Sequence, residues 1–196
     1  SGYGTPIGSH FSPSDAGYQD LTGVLPYDPE KAKALLAEAG YGDGLSFTMK
    51  VPNRTYAERA AEIMQAYLAQ SGVTMTIESS EFPATWIKDV FKDTNYDMTI
   101  IGHAEPLDIG IYARHPYYFN YDNPAFDATM AEIANATDEG TRLQGYRKAQ
   151  EILAEDVPAL FLYAWPKIGI WKAGLEGMWN NEPVPSNDVT DARWSE

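Results

Sequence analysis

Apolar positions in the first half of this chain switch repeatedly between a period of two and a period near 3.6. Leu45-Ser46-Phe47-Thr48-Met49-Lys50-Val51 alternates apolar and polar residues, which predicts a strand, and Pro52 ends it. From Arg54 to Ser71, Tyr56, Ala60, Ile63, Met64, Tyr67 and Leu68 recur at helical spacing, and Gly72 is suited to close that helix. Val73 to Ile77 alternates again. Pro83 then opens a helix that carries Trp86, Ile87, Val90 and Phe91 on one face, and Tyr96 to Ile101 reads as a third, more continuously apolar strand. Strands separated by helices of this length need crossover connections. The expected fold class is therefore α/β, a largely parallel sheet with helices on both faces.

The helix ahead of this region is the best signposted. Asp28 is a good N-cap, Pro29 fits the first helical position, and Glu30 adds negative charge at the positive end of the macrodipole. Ala32, Leu35, Leu36 and Ala39 form an apolar stripe, and Gly40 suits the left-handed position after the helix, which predicts a helix from about Pro29 to Ala39. Residues 1–26, rich in Gly, Ser and Pro, read as an extended, turn-rich lead-in. Downstream, His103 to Tyr121 is loop-like and aromatic. Asn123-Pro124 caps a helix bearing Phe126, Met130 and Ile133; Thr137 is expected to cap another, with Leu143, Tyr146, Ile152 and Leu153 inward. Pro158 precedes Ala159-Leu160-Phe161-Leu162-Tyr163, read as a buried strand with Lys167 to Trp171 as a candidate neighbour. The implied division is a lead-in at 1–26, an α/β body at 27–173 and an irregular segment at 174–196 that ends in an exposed tail.

Composition narrows the chemistry. The 196 residues are enough for one sizeable domain or two small ones. A net charge of −14 argues against nucleic acid and against anionic membrane surfaces. With no cysteine, disulfides, thiolate zinc sites, iron–sulfur clusters and cysteine nucleophiles are excluded. No apolar run approaches the ~20 residues that span a bilayer. Ser1-Gly2-Tyr3-Gly4 has neither the basic start nor the apolar middle of a secretory signal, so the chain is expected to be mature, processed or cut from something longer.

Several segments, taken in order, resemble one family. Gly2 to Ser9 (Gly-Tyr-Gly-Thr-Pro-Ile-Gly-Ser), Tyr27 to Ala32 (Tyr-Asp-Pro-Glu-Lys-Ala) and Leu35 to Tyr41 (Leu-Leu-Ala-Glu-Ala-Gly-Tyr) are similar to segments of extracytoplasmic solute-binding proteins of ABC transporters. The likeness is to the peptide- and nickel-binding group. The strand–helix pair Leu45 to Ser71, the run Asn123 to Asp127, the helix Tyr146 to Ala154 and the strand Ala159 to Tyr163 continue it. The resemblance is to the C-terminal lobe alone of a two-lobed, type II periplasmic-binding fold. It implies a non-catalytic periplasmic or extracytoplasmic protein that traps a small-molecule solute, by default a peptide, and delivers it to ABC permease subunits. It also implies a partner lobe, the N-terminal one, that this chain does not carry. Nickel chelates and sugars stand behind peptide as alternative solutes.

Ligands of open parallel sheets bind beyond the carboxyl ends of the strands. Three segments qualify: Asn53, Arg54 and Tyr56; Ser79, Ser80 and Glu81; and Gly102 to Asp108. The third is similar to the family's cleft segment, with His103 where a tryptophan is common and Asp108 at the family's aspartate. A histidine there can donate, accept or titrate as well as stack, so the family's aromatic wall is altered. By the same resemblance Glu105 is the candidate to hold a ligand amine through charge-assisted hydrogen bonds. Each has a plainer reading: His103 bonded to backbone, Glu105 a solvated charge, Asp108 a turn cap, Arg54 a helix start facing water. Tyr112, Tyr117, Tyr118, Phe119 and Tyr121 form the densest aromatic run, either a solute-facing wall or packing under an irregular loop. Trp165 and Trp171 are open in the same way. His103, Glu105, Asp108 and His115 match no helix-borne metal motif, so no metal site is expected. There is no Gly-x-Ser-x-Gly elbow, Gly-x-Gly-x-x-Gly fingerprint or P-loop, so neither catalysis nor a cofactor is expected; a stand-alone α/β enzyme or interaction module is the rival reading.

Overall fold

A computed structural model of the chain describes residues 2–105, 107–180 and 186–195. Two compact units emerge, one of Tyr27–His103 and one that joins Ser1–Pro26 to Ala104–Glu196.

In the Tyr27–His103 unit, the helix α1 (Pro29–Glu38) is set by its cap. Asp28 accepts from the Lys31 backbone N–H at 2.9 Å, and Gly40 takes φ +90 after the last turn. Its apolar stripe is barely used, however. None of its residues is buried, and Leu35 is 53% exposed. Strands β2 (Leu45–Pro52), β3 (Val73–Ser80) and β4 (Met98–Thr99) form a parallel sheet in the order β3-β2-β4. The third strand is shorter than the apolar run Tyr96 to Ile101 suggests, because only Met98 and Thr99 find ladder partners on β2. Helix α2 (Thr55–Ala69) lays Ala57 and Ala61 on the face of Met49, Val51 and Met75, and all five are buried. The opposite face is covered differently. A single helical turn, α3 (Ala84–Trp86), continues as π-helix through Ile87–Lys92. From it, buried Trp86 donates its indole N–H to Thr99 Oγ1 at 3.0 Å, and that hydroxyl donates to the Lys50 carbonyl at 2.7 Å. Helices thus cover both faces of a parallel sheet, as the alternating periods imply.

The second unit is built on helices α4 (Pro124–Asn135) and α5 (Glu139–Asp156). Asn123 caps α4, accepting from Ala125 and Phe126 N–H at 2.8 and 3.2 Å. The cap of α5 is Asp138 rather than Thr137. Its carboxylate meets the Thr141 N–H at 2.8 Å, the reach of a side chain three residues upstream. The two helices close tightly at Gly145, where a Cβ would stand 2.4 Å from Ile133 Cγ1. A short 3₁₀ helix, Ile109–Ala113, delivers Ile109, Ile111 and Tyr112 to a core shared with Phe11, Phe126, Ile133, Ala149 and Leu153.

Part of the lead-in is built into this core. Phe11 is 1% exposed, and buried Ser9 donates to Gln150 Oε1 at 2.8 Å. The run Ala159 to Tyr163 is not a buried strand. Only β5 (Tyr163–Ala164) pairs, antiparallel to β1 (Thr5–Pro6), and Leu160 and Leu162 are exposed while Phe161 packs on the core. The reason is the partner: β1 offers two residues, and Pro6 has no N–H to extend the ladder. Lys167 to Trp171 forms no strand among the described residues, and Ile170 is 94% exposed. Within the segment expected to be irregular, β6 (Leu175–Glu176) pairs antiparallel with β7 (Arg193–Trp194).

Candidate functional site

In the Tyr27–His103 unit the carboxyl ends of β2 and β3 are tied together by Asn53 and Arg54. The Asn53 N–H donates to the Ser80 carbonyl at 2.8 Å, and its Oδ1 accepts from the Phe82 N–H at 2.9 Å. Arg54 occupies the N-cap position of α2 without capping it. Its guanidinium instead donates through Nη1 to the Asn53 carbonyl and Oδ1, at 3.1 and 3.2 Å, and through Nη2 to the Phe82 carbonyl at 3.2 Å. The same group lies over the Phe82 ring, 5.0 Å from its centroid. An exposed arginine held by backbone and stacked on an aromatic face is oriented before any ligand arrives, and its fork suits a carboxylate. Near the third strand, the Gly102 N–H donates to the Tyr56 hydroxyl at 2.9 Å, and His103 is exposed.

The remaining expected residues belong to the other unit. Glu105 is exposed, and one of its carboxylate oxygens accepts from the Ala104 N–H at 3.3 Å. Asp108 is nearly enclosed. Its carboxylate makes no cap hydrogen bond to the Ile109–Ala113 helix; it meets His10 Nε2 at 2.6 Å, and the two side chains retain 14% and 10% of their exposure. His10 was not visible as a partner in the sequence because 98 residues separate the pair. Around it, the imidazole lies edge-on to Tyr112 and Phe161, with centroids 5.5 and 6.5 Å away.

The aromatic run divides. Tyr112 and Tyr118 are buried, 4% and 5% exposed, and Tyr112 stacks on Phe119 at 4.7 Å. Burial, reinforced by the Asp108 charge, raises the Tyr112 hydroxyl above the ordinary tyrosine range. Tyr117 is half-buried beneath Arg114, whose guanidinium carbon is 5.6 Å from the ring centroid. Its hydroxyl is also raised, first by desolvation, with Asp108 and Glu105 adding to the rise and Arg114 opposing it. Trp165 is 52% exposed and pairs with the Tyr163 ring at 6.1 Å.

An open cavity of about 410 Å³ in the same unit is lined by His115, Pro116, Tyr117, Asn120, Tyr121 and Asp122. At its rim, ligand-capable atoms of His115, Asp122 and Asp127 lie within 4.8 Å of one another. These residues flank the first turn of α4, whose positive end works against a cation. His115 Nε2 already meets both Asp127 oxygens at 3.1 and 3.0 Å. The described side chains here offer guanidinium groups held over aromatic rings, exposed and enclosed carboxylates, and aromatic surfaces.

Comparison with known proteins finds likeness to binding proteins. The family described as bacterial extracellular solute-binding proteins, family 5 Middle, matches residues 1–107. Among curated relatives, the glutathione-binding protein GsiB of Salmonella typhimurium is 28% identical, over 91% of this chain and 38% of its own length. The chain thus spans under two-fifths of that relative. Among solved structures, a dipeptide-binding protein of a Pseudoalteromonas species in complex with Met-Leu superposes with a TM-score of 0.75, at 25% identity, over 99% of this chain and 41% of that one. The periplasmic binding protein DppA of Helicobacter pylori, in complex with the peptide STSA, gives 0.73 at 27% identity over 83% of this chain and 34% of that one. These proteins are binders by name, and the fold they share is that of periplasmic binding proteins.

Proposed function

This chain belongs to the bacterial extracellular solute-binding proteins of family 5, and from that premise we propose that it forms part of the solute-binding component of an ABC importer. The observation that carries the proposal is the family match across residues 1–107. In this reading the protein works outside the cytoplasmic membrane, in the periplasm or its equivalent, by binding rather than by catalysis. It takes up a short peptide and presents it to permease subunits. A further lobe, outside this chain, completes the trap, and closure of two lobes over the solute removes water from both sides.

The side chains that would meet the solute follow from their exposure and chemistry. Arg54, oriented by Asn53 and Phe82, suits a terminal carboxylate. Glu105, exposed, suits a peptide amine. His103, Tyr117 and Trp165 add polar and aromatic contact, whereas Tyr112, Tyr118 and Asp108 support the structure beneath. The test uses the full-length protein in a thermal-shift screen of dipeptides, tripeptides including glutathione, and longer peptides. A ligand present at about a hundred times its Kd contributes roughly 2.7 kcal/mol, so a peptide of the right class raises the midpoint by several degrees. If no peptide shifts the midpoint while a sugar or a metal chelate does, the peptide assignment falls and the binding role stands. If the protein turns over a peptide instead of releasing it intact, the binding role falls.

A further inference from the structure

Arg54 is held, among the described residues, by neutral groups alone. Its guanidinium donates to the carbonyls of Asn53 and Phe82 and to the side-chain oxygen of Asn53, and it lies over the Phe82 ring. Among the described residues no carboxylate stands within ion-pair distance of it, although the chain has 28 acidic residues against 14 basic ones. Glu58, one turn into α2, accepts from the Ser79 hydroxyl at 3.2 Å instead. Arg59 and Arg193, by contrast, meet Glu62 and Glu176 at 3.2 and 3.1 Å. Donors remain on Arg54 for a group outside the fold. The bonds above use Nη1 and one hydrogen of Nη2, so the Nε–H and the second Nη2 hydrogen make no bond among the described residues. Donors on these two adjacent nitrogens suit a bidentate carboxylate.

The side chain of Asn53 decides how much of that charge is left. Its Oδ1 accepts from the Phe82 N–H at 2.9 Å and from Arg54 Nη1 at 3.2 Å, and its Nδ2 makes no bond among the described residues. Both partners are donors, so an oxygen is required there. An aspartate has the same shape, would satisfy both donors and would add an ion pair to Arg54. The amide does the first without the second. We propose that Asn53 is a specificity-determining positioning residue: a neutral acceptor at a place where a carboxylate fits, it holds Arg54 without cancelling its charge and so reserves that charge for an anionic group of the solute. The inference rests on the solute-binding reading above and deepens it. It assigns the solute a free carboxylate, and it makes C-terminally amidated peptides poor ligands.

Two measurements on the full-length protein test this. Calorimetry uses Met-Leu and its C-terminal amide as probes, and wild type prefers the free acid. Asn53→Asp, which keeps the geometry and compensates the charge, weakens Met-Leu by roughly tenfold or more, the loss expected for a hydrogen bond to a charged group. It then binds acid and amide about equally. Arg54→Gln loses the same preference, and Asn53→Asp adds little in that background. Hydrogen exchange of the Phe82 amide, without solute, reports whether the acceptor is kept. Asn53→Asp leaves it as slow as in wild type, whereas Asn53→Ala speeds it several-fold. A purely structural Asn53 gives the opposite order in calorimetry, with Asn53→Asp binding as wild type does and only Asn53→Ala impaired. That result overturns the proposal. Phe82 exchange as fast in Asn53→Asp as in Asn53→Ala overturns it too, because the carboxylate then does not take the place of the amide. If Met-Leu fails to bind wild type, the dipeptide reading falls and takes this inference with it; if Met-Leu binds and Asn53→Asp leaves its affinity unchanged, the inference alone falls.

Discussion

Replacing Gln150 with leucine should destabilise the unit that contains it by roughly 2–3 kcal/mol. The side chain is fully buried on α5 and makes four polar contacts. Its Oε1 accepts from the Ser9 hydroxyl at 2.8 Å and the Gln19 N–H at 3.3 Å, and its Nε2 donates to the carbonyls of Gly17 at 2.8 Å and Tyr146 at 3.0 Å. The Tyr146 carbonyl lies four residues back on the same helix and keeps its helical partner, and the bond to Gln19 is long. The loss therefore falls on buried Ser9 and the Gly17 carbonyl, at about 1–3 kcal/mol for each group left unpaired. Burying leucine in place of an amide returns about 1–2 kcal/mol, which leaves a net centred on the figure above. Urea unfolding followed by fluorescence reads this directly: with a slope of about 2 kcal/mol/M, the midpoint falls by about 1 M while the slope holds.

A second variant makes the reasoning refutable. Ser9→Ala combined with Gln150→Leu removes both partners of one of the two 2.8 Å contacts. The double variant should then be less destabilised than the sum of the two singles by about 1 kcal/mol, because an apolar pair replaces a half-satisfied polar one. Additive effects, or a Gln150→Leu midpoint within error of wild type, would show that residues 9–19 are held by apolar contacts such as Phe11 alone and that the amide is incidental.

Two further outcomes follow from the same structure. Gly145→Ala should destabilise by about 1–3 kcal/mol despite the better helix propensity of alanine, because its Cβ would stand 2.4 Å from Ile133 Cγ1; a rise in thermal midpoint would contradict the close α4–α5 approach. Asp156 is held below the usual carboxylate range, first by the Tyr121 hydroxyl and then by the Asn123 amide. A depressed folded pKa gives stabilisation that is present above the unfolded value near 4 and lost as pH falls through the folded value. Stability of Tyr121→Phe should therefore decline less between about pH 4 and 2 than that of wild type, as chemical denaturation at each pH would measure.

What could be read from the sequence was what neighbouring residues encode. Asp28 and Asn123 cap the helices that follow them because cap and N–H are two or three residues apart. Where two cap-forming residues stood together, as at Thr137 and Asp138, the choice was finer, and it went to the carboxylate that meets the Thr141 N–H. The parallel sheet was legible for a similar reason: alternation followed by a helix and then alternation again leaves few topologies. Ladder length was not. The apolar runs at Tyr96 to Ile101 and Ala159 to Tyr163 are longer than their pairing because their partners are set elsewhere in the chain. The stripe on α1 shows the same limit, since Leu35 has the spacing of a core residue without its burial.

The candidate site divides along the same line, and this bears on which residues meet solute. Sequence pattern singles out residue types able to bind: Arg54, His103, Glu105, Asp108 and the tyrosines. It cannot say which of them are already engaged by distant parts of the fold. Asp108 is engaged by His10 across 98 residues, and Tyr112 is engaged by a stack on Phe119 and by ring contacts to Phe126 and Phe161. Arg54 is engaged too, but by the backbone of its own neighbours and by Phe82, in an arrangement that leaves it exposed. Internal engagement therefore has opposite consequences according to burial. In the proposed reading, a carboxylate bonded inside the fold would be withdrawn from the solute, whereas an exposed guanidinium held by its neighbours would be oriented for it. Replacing Asn53, which accepts from both Arg54 and Phe82, with alanine would disturb the second case without touching the arginine's charge.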